Sequence, residues 1–481
     1  MKKRYIYAFA GLFLLGLGGC KKLDTFGDTN VDPSKPTTPI PSALFTNACA
    51  SIPGLASTGV LTPGFYGQYF SETQYNDVSL YSLQQLGFTG SYTGELYDLQ
   101  TIINLNTDNN LTQASIILQQ YIFWTMTDRW GDIPYSQALN ALLNPKPKYD
   151  KQEDIYKGMI SKIAAAVAAF DGGTINGDIL NNGSADLWKR LGNSLRMMMA
   201  LQLSKKYPAA GGYAATEFNA ALTNAAGYIS TNDQNFKAVY PGGNFQSPWY
   251  GTYNGRKDLA ESKTMTDLMA SLIDTRQNAY GGASEQPTGN NALVTSNIGV
   301  PYGVDRTAAL TFTDANPTWA RVLRGDLRTP TGTVVIISAA EVALARAEAA
   351  ERGWTSESAA AAYSAGIDLS FGQWGITVPA NYKAQSGVVL GATGSADNIG
   401  KIAIQEYIAS YPDGLRAWNI YRRTGFPSLS PAPAATNSPK AIPRRFAYST
   451  AEYTGNPEGI AEAIAALPGG DLQSSKIWWD Q

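Results

Sequence analysis

Residues 338–375 read SAAEVALARAEAAERGWTSESAAAAYSAGIDLSFGQWG. Apolar and small residues recur at helical spacing on both sides of a short break, so two helices are expected, with a turn between them. Alanine fills the positions where two backbones approach closely, Gly353 stands at the turn, and Ser356 is placed to cap the second helix. The length and the small-residue pattern are those of a tetratricopeptide-like helical hairpin. No convincing 34-residue self-similarity is found elsewhere in the chain.

Outward from this hairpin the helical pattern continues. Residues 399–423 carry it toward the C-terminus; 112–127, 150–169, 186–206 and 216–230 carry it on the N-terminal side, separated by Gly, Asn and Pro turns. In 112–127 the pattern sets Ile116, Ile117, Gln120, Phe123, Trp124 and Thr127 on one face. Residues 240–335 break it with Gly, Pro, Asn and Thr, and 44–104 are rich in Gly, Tyr, Gln, Ser and Thr. The chain is therefore expected to be mainly α: one large domain over 42–481 with an irregular, loop-rich region in its middle.

The N-terminus reads MKKRYIYAFAGLFLLGLGGC. Three basic residues precede an apolar run shorter than the ~20 residues that span a bilayer, so 1–19 is expected to be an export signal that is removed. Leu-Gly-Gly-Cys is a lipobox, which marks Cys20 for diacylglycerol and cleavage; more than one acyl chain then holds the protein to a membrane. Residues 20–41 hold four prolines and few large apolar groups, the composition of an extended tether.

Composition excludes several chemistries. Without the leader's three cations, 34 Lys+Arg face 39 Asp+Glu, so the chain has no nucleic-acid footprint. Histidine is absent, which removes Ser-His-Asp and Cys-His catalysis and the usual zinc sites. With Cys20 lipidated, Cys49 has no partner and is expected to be a small buried residue. Asp305 and Asp314 have no EF-hand spacing, and no metal or cofactor is expected.

Eight blocks, in order, carry a resemblance: GDIPYSQAL (131–139), DLWKRLGNSLRMMMALQLSK (186–205), SKTMTDLM (262–269) with DTRQNAY (274–280), GVPYGVD (299–305), SAAEVALARAEAAERGW (338–354), LRAWNIYRRTGFP (415–427), IPRRFAYSTAEYTGN (442–456) and KIWWD (476–480). With a lipobox in front, the chain resembles SusD/RagB-like outer-membrane nutrient-binding lipoproteins. The resemblance implies a mostly helical domain on tetratricopeptide-like pairs and an irregular ligand-facing region. It also implies a SusC-like TonB-dependent transporter as partner, and no catalytic activity. The cargo would be an oligosaccharide or, in other members, a peptide; a lipid-anchored glycoside hydrolase using two carboxylates is the rival outside the family.

The blocks themselves read as structural. Gly131 and Pro134 punctuate a helix end beside Trp130 and Tyr135, a packing corner. Arg422, Arg423, Arg444 and Arg445 are expected to tie the C-terminal segment down rather than grip an anion. Ligand contacts are expected from the irregular stretches, where aromatic platforms stand among amide and guanidinium groups that suit the C–H faces and hydroxyl rims of sugars. Two stretches qualify. One is Tyr66, Tyr69, Gln74, Tyr75 and Asn76; the other is Trp249, Tyr250, Tyr253, Asn254 and Arg256, whose aromatics are expected to lie exposed around a shallow cleft.

Overall fold

The computed structural model describes residues 38–82, 85–285 and 289–481. The expected signal peptide, Cys20 and the expected tether as far as residue 37 lie outside the described residues. Ser42–Gln481 form one compact unit. Helices run through it as α1 (Pro41–Ser51), α2 (Glu95–Leu105), α3 (Asn109–Trp130), α4 (Gln152–Ala169), α5 (Ala185–Gln202) and α6 (Tyr213–Leu222). After them come α7 (Lys263–Ser271), α8 (Arg306–Ala315), α9 (Ala339–Glu351), α10 (Ala359–Gln373), α11 (Asn398–Ala409), α12 (Gly414–Thr424) and α13 (Pro457–Ala465). Strands are two to four residues long and pair only two by two. The fold is mainly α.

From α2 to α6 each helix packs on the next, as do α9 with α10 and α11 with α12; α9 also packs on α5 and α11 and so joins the two halves. The hairpin that opened the sequence reading is α9 and α10. Ser338 Oγ accepts from Glu341 N–H at 3.1 Å while the Glu341 carboxylate accepts from Ser338 N–H at 2.8 Å, a capping box of about 1 kcal/mol. Gly353 has φ +70°, as a chain reversal needs. A Cβ on Gly366 would come 2.6 Å from Leu344 Cγ, so only glycine lets α10 lie this close to α9. The second helix starts later than expected: Ser358, not Ser356, accepts from Ala361 N–H at 3.3 Å.

Other boundaries move for tertiary reasons. The helix expected over 216–230 ends at Leu222 because α5 captures the following carbonyls: Asn193 donates to Gly227 O at 2.7 Å and Arg190 to Tyr228 O at 3.2 Å. The run 399–423 breaks at Pro412, which has no N–H to give, and restarts where Asp413 accepts from Leu415 and Arg416 N–H at 3.0 and 3.2 Å. Helix α3 is buried on nearly every side rather than on one face, and of the six residues expected on that face only Ile116 is partly exposed. Ser262 and Asp305 cap α7 and α8 inside the irregular region; Asp305 thus serves a helix end, accepting from Ala308 N–H at 3.0 Å.

The core closes on a knot of paired polar groups. Arg422 donates to Asp128 O at 2.7 Å and Arg444 O at 2.8 Å, and its guanidinium carbon stands 3.5 Å from the Trp418 ring centre. The Asp128 carboxylate accepts from Asn419 and from the Trp479 indole at 3.0 Å. Arg423 sits between Glu348 and Glu406, 2.7 Å from the latter. Arg444 donates to Asp480 at 2.6 Å, and Arg445 to Trp130 O at 3.2 Å. Arg422 and Arg445 tie the C-terminal segment to α3, Arg444 ties it to α12 and Asp480, and Arg423 joins α12 to α9 and α11. At the corner after α3, Trp130 donates to Leu86 O at 2.9 Å, and Asp150 accepts from Tyr135 N–H at 3.0 Å. Cys49 is a buried free thiol, pushed well above its usual pKa by burial.

Candidate functional site

Two strands far apart in sequence build the candidate site. β1 (Phe70–Glu72) pairs antiparallel with β2 (Leu259–Glu261), with Phe70 opposite Glu261 and Glu72 opposite Leu259. The ladder runs on beyond the strands: Thr73 N–H donates to Asp258 O at 3.2 Å and the Thr73 hydroxyl to Lys257 O. Both predicted stretches are thereby stitched edge to edge. Arg256 forks onto the Asp258 carboxylate, with Nε 3.1 Å from each oxygen. Its guanidinium is held above its usual pKa mainly by Asp258, with a smaller part from Tyr75, which therefore lies within electrostatic reach.

Burial separates the candidates into two groups. Tyr75 is 63% exposed, Tyr250 43% and the Arg256 side chain 65%, and Asn254 is also exposed. The expected exposure fails for the others. Tyr66 and Tyr69 are fully buried: Tyr66 accepts from Gln473 at 3.2 Å and packs on Trp418, while Tyr69 donates to Tyr407 O and lies 5.1 Å from Tyr411. Trp249 and Tyr253 are each 2% exposed. Trp249 packs edge-on to Phe70, and the Tyr253 hydroxyl accepts from Val322 N–H at 2.7 Å beneath the Arg328 guanidinium. Both strands are buried along their whole length and these rings beside them turn into the core, so they support the rim rather than form it.

The loop that carries Gln74, Tyr75 and Asn76 is fastened from below. Glu72 accepts from Ser79 N–H at 2.8 Å and from the Ser79 hydroxyl at 2.7 Å; burial pushes its carboxyl up to about 7. Gln74 is half-buried, and the Asn76 amide donates to Val304 O at 3.0 Å. Farther along the second strand Glu261 is fully buried, with one oxygen accepting from Gln277 at 2.7 Å and the other unpartnered, and burial pushes it up to about 8.

A second concavity, of about 690 Å³, opens where residues 232–237, 326–333, 372–374 and 409–413 meet. Trp249 belongs to its wall. Nothing in the sequence pointed to this cavity, since its wall comes from several stretches far apart in the chain. Among the described residues no three Asp, Glu, Cys or His side chains gather where they could hold a metal ion.

Residues 33–449 match the SusD-like family described as "Starch-binding associating with outer membrane". Among solved structures, the chain is similar to a chitin-binding SusD homologue from Flavobacterium johnsoniae, at 24% identity and a TM-score of 0.78 over 92% of this chain and 98% of that one. It is likewise similar to a SusD homologue from Bacteroides uniformis, at 23% identity and a TM-score of 0.78 over 92% and 100% of the two chains. A third, a chitin-binding protein, shares 25% identity with a TM-score of 0.74 over 92% and 100%. No curated protein matches the chain.

Proposed function

Given that the chain belongs to the SusD-like family, whose members associate with the outer membrane, we propose that it is a cell-surface lipoprotein that captures oligomeric glycans and passes them to a SusC-like TonB-dependent transporter. The observation that carries the reading is the rim: Tyr75 and Tyr250 exposed, with Asn254 and Arg256 beside them, on loops joined by the β1–β2 pairing. Exposed rings supply platforms for sugar C–H faces, and the amide and guanidinium supply hydrogen bonds to hydroxyls. A receptor that must release its cargo works with modest affinity, of the order of micromolar to millimolar, roughly −8 to −4 kcal/mol.

Two chitin-binding structural neighbours make N-acetylglucosamine oligomers the first cargo to try. Residues 1–19 would be removed, Cys20 lipidated, and 20–41 would serve as the tether. A tether confined to the membrane plane raises the effective concentration of even a weak docking partner.

Calorimetric titration with N-acetylglucosamine oligomers, malto-oligosaccharides and mixed peptides tests the cargo. Saturable binding of an oligosaccharide, recovered unchanged, is expected. Binding of peptides alone would move the protein to the peptide-binding reading, and hydrolysis of the oligosaccharide to the hydrolase. Intact-mass spectrometry of the mature protein checks for acyl groups on Cys20. Native pull-down from detergent extracts checks for a much larger β-barrel partner.

A further inference from the structure

The cavity of about 690 Å³ lies within the range of about 300–1,000 Å³ that small-molecule sites occupy. Its aromatic wall is preformed. Tyr411 stacks on Tyr280 at 4.4 Å with 20° between the rings, and Trp374 meets the same Tyr280 edge-on at 5.3 Å. Trp249 closes another side, its loop pinned where Ser247 N–H donates to Pro330 O at 2.9 Å. Tyr411 and Trp249 are nearly sealed behind the wall, so the ring that an apolar sugar face can reach is the half-buried Trp374.

The polar lining holds both kinds of hydrogen-bonding group. Asp326 is engaged by Arg324 at 2.6 and 2.9 Å, and the Thr329 and Thr331 hydroxyls meet each other at 3.3 Å. Lys237 Nζ, by contrast, has no hydrogen-bond or ion-pair partner among the described residues, and Asp233 stands near it. A sugar hydroxyl both donates and accepts, so an ammonium, a carboxylate and threonine hydroxyls around aromatic walls suit it. An anionic ligand would meet Asp233, Glu341 and Asp413 in the wall against Lys237, Asp326 being already paired with Arg324, and an apolar ligand would strand the polar lining without water.

The geometry points to a second saccharide site, in this cavity and separate from the rim, that takes a short neutral or amino sugar and rejects uronic acids. The assignment stands on the cavity's own walls and does not require the rim to bind glycans. The full lipoprotein in detergent is titrated by saturation-transfer NMR with diacetylchitobiose, maltose, glucosamine and galacturonate. At least one of the first three should bind. Its signal should fall severalfold in Lys237→Met and in Trp374→Ala and persist in Tyr75→Ala, while galacturonate gives none.

Lys237→Met leaves the packing intact, so it remains decisive should Trp374→Ala fold poorly. Absence of binding by every neutral and amino sugar at millimolar concentration overturns the assignment. So does a signal lost in Tyr75→Ala and kept in Lys237→Met, which would place binding at the rim alone. Failure of long oligosaccharides to bind a rim that Tyr75→Ala alters would instead count against the rim and leave the cavity standing.

Discussion

Arg423 and Arg256 are the same residue type in two regions built to opposite ends. Arg423 is sealed between Glu348 and Glu406, while Arg422 donates to Asp128 O and the Trp479 indole to the Asp128 carboxylate. Arg256 is largely exposed and held by Asp258 alone, with Tyr75 and Asn254 open to solvent nearby. In the first region the charge is desolvated, and its energy goes into specifying one arrangement of helices. In the second, donors and ring faces remain free for a ligand. Residue type alone does not separate the two roles; the degree of pairing does.

The comparison breaks first, and hardest, in the knot. Arg423→Ala leaves Glu348 and Glu406 buried without their shared cation, although Arg352 still reaches Glu348 at 2.7 Å. A loss of about 3–5 kcal/mol is expected, read from denaturant unfolding, with ligand affinity of the folded fraction unchanged. A loss confined to affinity would show that this region serves the ligand after all.

Trp249 tests the border between the regions. Being buried against Phe70, it should behave as a core residue, and Trp249→Ala should cost about 3 kcal/mol, the low end for a truncated aromatic because one side already faces a cavity. Thermal unfolding and titration of the same variant separate lost stability from lost binding. An unchanged melting temperature would return Trp249 to the surface.

Why the sequence disclosed one region and not the other follows from the range of the interactions. The hairpin was legible because its determinants are local: Ser338 and Glu341 are three residues apart, Gly353 sits at its own turn, and alanine spacing follows the helix period. The arginine pairs were legible in kind because their blocks lie in helical and C-terminal segments with nearby acids. Exposure of a tyrosine in an irregular stretch was not. Tyr69 is buried and Tyr75 exposed, six residues apart, only because β1 meets a strand some 190 residues later and because Tyr407, Tyr411 and Tyr280 close over Tyr69. No local period encodes that. The cavity was invisible for the same reason, its wall being shared among segments far apart in the chain.

Glu261 sharpens the comparison, as a buried carboxyl without the ion-pair partner that Glu348 and Glu406 find in Arg423. Its carboxyl is raised from 4.5 to about 8 by burial, so the folded chain holds the proton more tightly than the unfolded one. The stability linked to this group is fully present below about pH 4.5 and is lost as the pH rises through about 8. Glu261→Gln removes the penalty while keeping the shape. The variant should gain several kcal/mol over the parent at pH 9 and no more than about 1 kcal/mol near pH 5, measured by urea unfolding at the two pH values. Equal stabilities at pH 9 would mean that water or a rearranged Gln277 already satisfies the unpartnered oxygen.

The smallest effect on stability, and the most informative on function, belongs to Tyr75. At 63% exposure it contributes almost nothing to the core, so Tyr75→Ala should change unfolding free energy by no more than about 0.5 kcal/mol. A platform in a weak site is a large share of a small total. With binding worth roughly −8 to −4 kcal/mol, loss of about 1 kcal/mol of ring contact weakens affinity severalfold. Tyr75→Phe should recover most of it, because a sugar's C–H face needs the ring more than the hydroxyl. Titration of the parent and both variants with one oligosaccharide, beside their melting curves, reads the two quantities separately. Full affinity in Tyr75→Ala would leave the exposed rim without a role and turn the search for the ligand site to the cavity.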